Sequence, residues 1–511
     1  MLDVVSPPPG GREAVFVTSE PRASARLENG ARIAVVGGGP AGSAFALFAN
    51  HYAREAGLEL QVTVFEPRDF SRLGPRGCNM CAGLVPSRAL RPLGDLDVVV
   101  PPSVIRQQIT QYTLHTAAGR IALAQPDPEA DVISVYRGSG PLGSPVEREQ
   151  RSFDGFLLER ARSCGTEIVA ERVTSVGFEG GPRVRTDSRT FEVDLVVLAS
   201  GINRSTVSFD DFGYVPPPRR QMAQCEICLG EDGVRSALGG SVHIVLAPEG
   251  RLSFGALIPK GRCINVSLLG DDLPAGSMDA FLALPEVAAL LPHVVARACA
   301  CRPRIAIGPA EPLYADRFVA IGDAGVSHLY KNGIGSAIHA ARQAAYAAVH
   351  HGIDAASFRS HYAPLCRDIL RDNRAGRFLF RFSRIFRASG VLARPHLHSV
   401  AAEQSLPPAQ RLHSRLLWGM FSGAYPYRQL LAMAARPAVQ WRLLRGAVRG
   451  PWASPATVRP GERARGGAGD TTPGGVGRAA GQERRSAGGE AAEGGPEPSR
   501  SARRRRPGPR P

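Results

Sequence analysis

A short apolar run that passes without a spacer into a cluster of glycines constrains this chain more than any other feature. Ala31-Arg32-Ile33-Ala34-Val35-Val36 reads as a buried strand, and Gly37-Gly38-Gly39-Pro40-Ala41-Gly42 follows at once. A helix is expected from Ser43 to about Ala56, then a second strand, Gln61 to Phe65, ending on Glu66. Strand, glycine turn, helix and strand make a βαβ unit, which commits the chain to an α/β fold with a parallel sheet. Gly37, Gly39, Ala41 and Gly42 stand where the backbone turns tightly and approaches a pyrophosphate, while the helix start offers free amides and a positive dipole end. Glu66 falls where a carboxylate accepts hydrogen bonds from an adenosine ribose. Together these point to a dinucleotide; a glycine-rich turn with no ligand is the bland alternative.

Nearly three hundred residues later comes a second set of residues. Arg317 to Gly325 reads as a strand ending on Gly322-Asp323; Tyr330-Lys331-Asn332-Gly333-Ile334-Gly335-Ser336 and an alanine-rich helix through about His350 follow. This resembles the second FAD motif of the para-hydroxybenzoate hydroxylase and geranylgeranyl reductase group of flavoproteins. The resemblance implies that Asp323 binds the ribityl chain, and that Gly333, Gly335 and Ser336 open a helix aimed at the flavin pyrimidine, where reduced flavin carries negative charge. Arg151-Ser152-Phe153-Asp154 is similar to the group's Arg-x-Phe-Asp segment, whose arginine reaches the cofactor, and opens a helix closing at Cys164-Gly165. Strands are expected from Thr166 to Val173 and from Val193 to Leu198; in the group the Val173 position offers its backbone to the adenine. Cys81-Ala82-Gly83 matches a Cys-x-Gly stretch that contacts the flavin. Arg251 to Gly261 is similar to the reductase pattern Tyr-x-Trp-x-Phe-Pro-Lys, with Phe254, Ala256 and Ile258 in the aromatic places and Pro259-Lys260 kept.

The resemblance implies an FAD-dependent oxidoreductase that passes hydride to a carbon–carbon double bond of an isoprenoid-like or quinone-like substrate. Cys81, Lys260 and Tyr330 are the catalytic candidates, with His328 beside Tyr330. A flavin-dependent monooxygenase or halogenase acting on an aromatic or polyketide substrate is the alternative; Ser200, where the hydroxylases have aspartate, argues against a standard hydroxylase. Electrons would come from NAD(P)H docking transiently or from a ferredoxin, since no second glycine-rich βαβ unit is visible. A surface adaptor on a vestigial flavin fold is the non-enzymatic reading.

These motifs divide the chain. Residues 1–30 read as a flexible extension; 31–105, 146–213 and 306–352 as three parts of a Rossmann-like FAD-binding domain; 106–145 and 214–305 as a strand-rich, mainly antiparallel substrate domain with one helix near Met278 to Leu291. A helical region follows over 353–450. Residues 451–511 carry twelve Arg against six acids and almost nothing apolar, the composition of a disordered basic tail. The formal charge of +16 is therefore partly a tail property, and no folded nucleic-acid reading element accompanies it.

The chain has two lysines, Lys260 and Lys331, among 62 basic side chains. Both lie in glycine- or proline-marked segments, so these two places are expected to need the compact ammonium. Cys78/Cys81 and Cys225/Cys228 are two Cys-x-x-Cys pairs, but residues 222–229 read as a strand, which sets Cys225 and Cys228 on opposite faces. No metal site is expected. Nine cysteines over 511 residues point to a reducing cytoplasm, no apolar run spans a bilayer, and the start does not read as a secretory signal. Arg371, Arg374, Arg377, Arg381, Arg384 and Arg387 recur at helical spacing beside Phe378, Phe382, Ile385 and Phe386. Such a helix suits peripheral contact with an anionic membrane, or else packs with a solvated arginine face; Trp418, Phe421, Tyr425, Tyr427 and Trp441 tilt the reading toward the membrane. The expected substrate is then a hydrophobic small molecule or lipid taken from the inner face of the cell membrane. The oligomeric state is left open.

Overall fold

The computed structural model describes residues 25–74, 77–78, 81–140, 152–203, 207–246, 251–291, 296–388 and 390–449, the side chains of 384–388, 390–392 and 446–449 excepted; all belong to one compact unit. Residues 1–24, the tail 451–511 and Arg151 lie outside them. Part of the extension expected over 1–30 is built into the fold instead. The Ala25 carbonyl accepts from the Ile353 amide, Gly30 donates to the Glu59 carbonyl, and Leu27 is buried.

Strand Arg32–Val36 sits inside a sheet, parallel to Gln61–Phe65 on one side and Leu195–Leu198 on the other. Glu167–Val169 and Phe318–Ala320 extend it in parallel, and Tyr314–Ala315 adds an antiparallel edge. The first strand is apolar at successive positions because both faces are covered. Ile33 and Val35 face one core with helix Pro40–Glu55, and Ala34 and Val36 face another with Phe65 and Phe318. That helix begins three residues before the expected Ser43, on Pro40, whose ring presets a helical φ at the first position. It packs against helix Gly333–His350, whose buried alanines face it without bulk.

The single strand expected from Thr166 to Val173 is two. Glu167–Val169 belongs to the parallel sheet, and Val173–Gly177 starts a four-stranded sheet. Glu171 in the connection turns out to the hydroxyls of Thr186 and Ser188.

The strand-rich segments combine across the sequence. Their larger sheet runs Arg297–Cys301, Ala223–Cys228, Cys263–Gly270, Leu252–Lys260, Ser241–Val245, Gln111–Thr116, Gly119–Ala124; its pairs are antiparallel except Ser241–Val245 with Gln111–Thr116. Helix Gly230–Leu238 was not expected. The helix anticipated near Met278 to Leu291 is two short pieces, Ser277–Leu282 and Pro285–Ala288, the second opened by its proline. Cys225 and Cys228 do face opposite sides: Cys225 is buried and free, whereas Cys228 is disulfide-bonded to its cross-strand neighbour Cys263.

The C-terminal helices cover one face of this sheet. In Ala363–Ala388, Asp372, Asn373, Gly376 and Leu379 are buried along one stripe, while Arg371, Arg374, Arg377 and Arg381 are exposed. The helix is therefore packed, with Asn373 bonded to Ser327 and Leu329. The aromatic residues expected at a membrane are mostly core residues. Trp418 donates to the Ala130 carbonyl at 2.9 Å, Tyr425 to Asp127 at 2.6 Å, and Tyr427 to the Leu329 carbonyl at 2.6 Å, all buried; Trp441 stands exposed. Among the described residues no helix is long and apolar enough to cross a membrane.

Candidate functional site

The glycine turn is built by close backbone approach. Gly37 has φ +110°, and a Cβ there would stand 2.6 Å from the Ala199 carbonyl oxygen; one at Gly42 would stand 1.9 Å from that of Gly37. No larger residue fits either place. The helix that follows has Gly39 at its N-cap without a side-chain cap, and its first turn holds no acid, so its leading amides face the site uncompensated. Ala41 in that turn is buried against Gly322.

Glu66 is only 3% exposed. Its carboxylate accepts from the Gly38 amide at 3.0 Å and from Arg68 at both backbone and side chain, 3.0 and 2.9 Å. The acid at the end of the second strand is thus tied to the glycine turn, and Arg68, which sequence reasoning missed, neutralises it.

Asp154, from the Arg-x-Phe-Asp segment, is fully buried and holds Arg137 in a two-point pair at 3.1 and 3.0 Å. Burial disfavours the Arg137 charge, but the Asp154 carboxylate outweighs it and raises the pKa, with Cys81 and Asp323 adding to the effect. The guanidinium lies 3.1 Å from where a Gly39 Cβ would stand. Arg137 is therefore the cation over the glycine turn. The only signal for it in the sequence was an apolar strand, Val132–Val135, running to Tyr136-Arg137-Gly138.

Asp323 lies in the short turn Gly322–Ala324, and its Oδ1 is 3.8 Å from a Cβ placed on Gly333. Glu66 neighbours Gly38, Gly39 neighbours Arg137, Arg137 interacts with Asp323, and Asp323 neighbours Gly333. The two far-apart motifs converge. Helix Gly333–His350 also begins uncapped, with no acid in its first turn; Asn332 precedes it at φ 56°, its Oδ1 buried without a hydrogen-bond partner. Gly335 packs against Asn332 and Ala89, and the Ser336 hydroxyl meets the backbone N–H and Nδ1 of His328 at 2.9 and 2.5 Å. Val173 is buried beside Phe65 and Val169 in the core behind the sheet.

An elongated anion with a polar heterocycle fits these residues. Two uncapped helix starts, a glycine turn that any side chain would fill, a half-buried arginine and an orphaned amide oxygen are the partners that the phosphates, ribityl chain and ring of FAD require.

The two lysines have the same structural part. Lys260 is fully buried; Nζ donates to the Cys81 carbonyl at 2.9 Å, lies 3.7 Å from Glu226 and 4.5 Å from the Tyr136 ring centre. Tyr136 and Asn265 both donate to Glu226, and Ser267 and Gln224 continue the network. Lys331 donates to the Gly419 and Tyr425 carbonyls over the Tyr427 ring, 3.9 Å away. Burial lowers its pKa to about 7. Each lysine pins a loop: Lys260 the Cys81-Ala82-Gly83 stretch, which Val135 also holds by donating to Gly83, and Lys331 the entry to the Gly333 helix.

One cavity is walled in part by Arg137, and another by Tyr330 of the loop before the Gly333 helix. The first, of about 20 Å³, room for about one water, is walled by Cys78, Cys81, Tyr136, Arg137, Glu226, Cys299 and Cys301 among others. The other, about 830 Å³, lies between the strand-rich sheet and the C-terminal helices. Its walls include Leu114, Phe254, Tyr330, Leu397, Leu417 and Phe421. The Tyr330 hydroxyl there accepts from Arg220 at 2.6 Å, two residues before Asn332. His328, its neighbour in the loop, is held neutral near pH 7, since burial lowers its pKa to about 4.

No protein-family profile matches the chain, and no curated protein matches it in sequence. Solved structures do. A flavoprotein/dehydrogenase from Cytophaga hutchinsonii superposes with TM-score 0.52 at 18% identity, covering 77% of this chain and 93% of that one. The halogenase PltM gives 0.52 at 14%, covering 82% and 96%, and the flavin-dependent brominase Bmp2 gives 0.51 at 16%, covering 79% and 98%. At such identities the likeness establishes the fold. It is the fold that this chain shares with that flavoprotein and those two halogenating enzymes.

Proposed function

We propose that the protein is an FAD-dependent oxidoreductase that passes hydride to a carbon–carbon double bond of a hydrophobic, isoprenoid-like or quinone-like substrate. The observation that carries this reading is the cavity of about 830 Å³, lined mainly by apolar side chains and bordered by Tyr330 at the entry to the Gly333 helix. An apolar chain loses its water against the Leu, Phe and Met side chains there. When bound, FAD supplies the hydride, with NAD(P)H or a ferredoxin as the external donor. Gly37, Gly39, Ala41, Gly42 and Arg137 hold the pyrophosphate, Glu66 the ribose, Asp323 the ribityl chain, and Gly333, Gly335 and Ser336 the ring. Tyr330, oriented by Arg220, presents its hydroxyl to the cavity as the proton donor. Cys81 and Lys260 act as positioning residues for the loop beside the ring.

The fold neighbours named as halogenases favour a second reading, oxygen activation before attack on an aromatic substrate. Anaerobic saturation of an alkene supports the reductase; substrate-dependent oxygen consumption supports the alternative. Both fail if the purified protein and Asp323→Ala have the same absorbance near the flavin bands, because Asp323→Ala should copurify without the chromophore.

Delivery from an anionic membrane belongs to the same proposal. Phe378 and Phe382 stack at 6.2 Å and are 56% and 48% exposed, as are Trp441 at 57% and Leu444 at 59%. Arg377, Arg381, Phe382 and Leu443 line the large cavity, and Phe378, Trp441 and Leu444 are their near neighbours in sequence on the same two helices. Cosedimentation with phosphatidylglycerol vesicles, lost with phosphatidylcholine alone and in Phe378→Ser/Trp441→Ser, tests it. Equal recovery on both vesicle types would remove the membrane from the proposal.

A further inference from the structure

Five of the nine cysteines line the one small cavity beside Arg137: Cys78 and Cys81 from the loop after Glu66, Cys225, Cys299 and Cys301. Cys225 points mainly to the opposite core and is buried. The other four are half-buried cysteines outside the disulfide, and they line this cavity from segments more than two hundred residues apart. Cys299 and Cys301 share a face of the edge strand Arg297–Cys301, opposite Glu226 and Gln224 in register, and both line the same small cavity. Cys78 is an electrostatic neighbour of Cys301, and Cys81 of Arg137.

We propose that these thiols form a redox-active centre in which Cys301 closes a disulfide with Cys299 or with Cys78, and which exchanges electrons with an external dithiol carrier. Edge placement supports it, because an edge strand can bend, and its register with the neighbouring strand already shifts next to Cys299. Half-burial leaves the sulfurs within reach of a small carrier. Interaction between the two thiols lowers the Cys299 pKa and raises that of Cys301, the asymmetry that gives a pair one good leaving thiolate. Among the described residues no group of three or more His, Cys, Asp or Glu is arranged to hold a metal ion, so the cluster does not need to be reserved for one.

The exchange balances as follows. A carrier thiolate attacks the Cys301 sulfur and expels its partner as thiolate, which takes a proton. The second carrier thiol then attacks the carrier sulfur of the mixed disulfide and releases Cys301 as a thiol. The carrier ends as a disulfide, the protein as two thiols. Arg137 lies between this centre and the glycine turn, so the stored electron pair would stand beside the flavin site. That last statement rests on the proposed function; the exchange itself does not.

The test equilibrates the full-length protein, as purified, in mixtures of reduced and oxidised dithiothreitol, then alkylates it and maps the modified cysteines by mass spectrometry. As the buffer becomes oxidising, two cluster thiols should be lost together, joined as Cys301–Cys299 or Cys301–Cys78. Cys301→Ser should abolish that loss; Cys299→Ser should either abolish it or leave Cys301–Cys78, which identifies the partner. All four thiols alkylating at every ratio overturns the proposal, as does a cluster disulfide that persists in Cys301→Ser. Flavin content does not enter these readouts, so failure of the flavin reading is seen separately.

Discussion

Replacing Lys260 with methionine keeps most of the buried side-chain volume and removes the ammonium from a buried site. Glu226 then keeps its donors Tyr136 and Asn265 but loses its cation at 3.7 Å, and the Cys81 carbonyl loses its donor. At an effective dielectric of about 20 the ion-pair attraction at this distance is roughly 4 kcal/mol, and the ammonium over the Tyr136 ring adds about 1–2 kcal/mol. Relief of the buried ammonium's own desolvation offsets part of this, so about 3 kcal/mol should be lost, the lower end for breaking a buried pair. For a folded unit of roughly 400 residues, with about 2.1 cal/mol/K of unfolding entropy per residue, that is about 4 °C in Tm. Adding Glu226→Gln removes the stranded charge and should restore about half of the loss. Differential scanning calorimetry of the two single variants and the double variant, at matched pH and salt, measures the coupling. The reasoning fails if Lys260→Met melts with the parent, or if the two losses simply add.

Other outcomes follow from the same structure. Lys331 titrates near pH 7 in the fold against 10.5 when exposed, so between these values the unfolded chain binds more protons and stability rises with pH. The urea midpoint should therefore increase from pH 7 to 9.5, and Lys331→Met should flatten that increase; an unchanged slope would place the effect elsewhere. His115 and His243 meet at 3.0 Å, and burial lowers their pKa values to about 4 and about 3. Their folded forms resist protonation that the unfolded chain accepts near 6.5, so stability should fall as pH drops below 6.5. Replacing both with threonine should shallow that fall in a pH series of thermal melts. Leu417→Trp should fill part of the large cavity and weaken binding of a fluorescent apolar probe at least tenfold while leaving Tm within about 2 °C, as for a wall facing open space; unchanged probe affinity would mean that the probe binds elsewhere.

Local chemistry was enough to read the βαβ unit and its glycine turn from the amino-acid order. The strand, glycines, helix and second strand are consecutive, and Gly37 and Gly42 admit no side chain because backbone approaches within a few residues or across one strand. Asp323 and the Gly333 helix were singled out only through the resemblance to a flavoprotein motif. Periodicity also placed Cys225 and Cys228 on opposite faces. It could not choose between a membrane and a packed helix for Ala363–Ala388, since Asp372, Asn373 and Gly376 declare a buried face only through partners at residues 327–329 and 427–428.

What depended on folding was every pairing between distant segments. Arg137 stands over the glycine turn because Asp154 draws it there. Trp418 is core because the Ala130 carbonyl lies above it, and Lys260 is a pin because Cys81 turns its carbonyl inward. The four thiols and the large cavity likewise exist only where sheets and helices meet. A chain's order states which groups are adjacent along the backbone; which buried charge finds which partner follows from the free energy of desolvating them together, and that is settled in three dimensions.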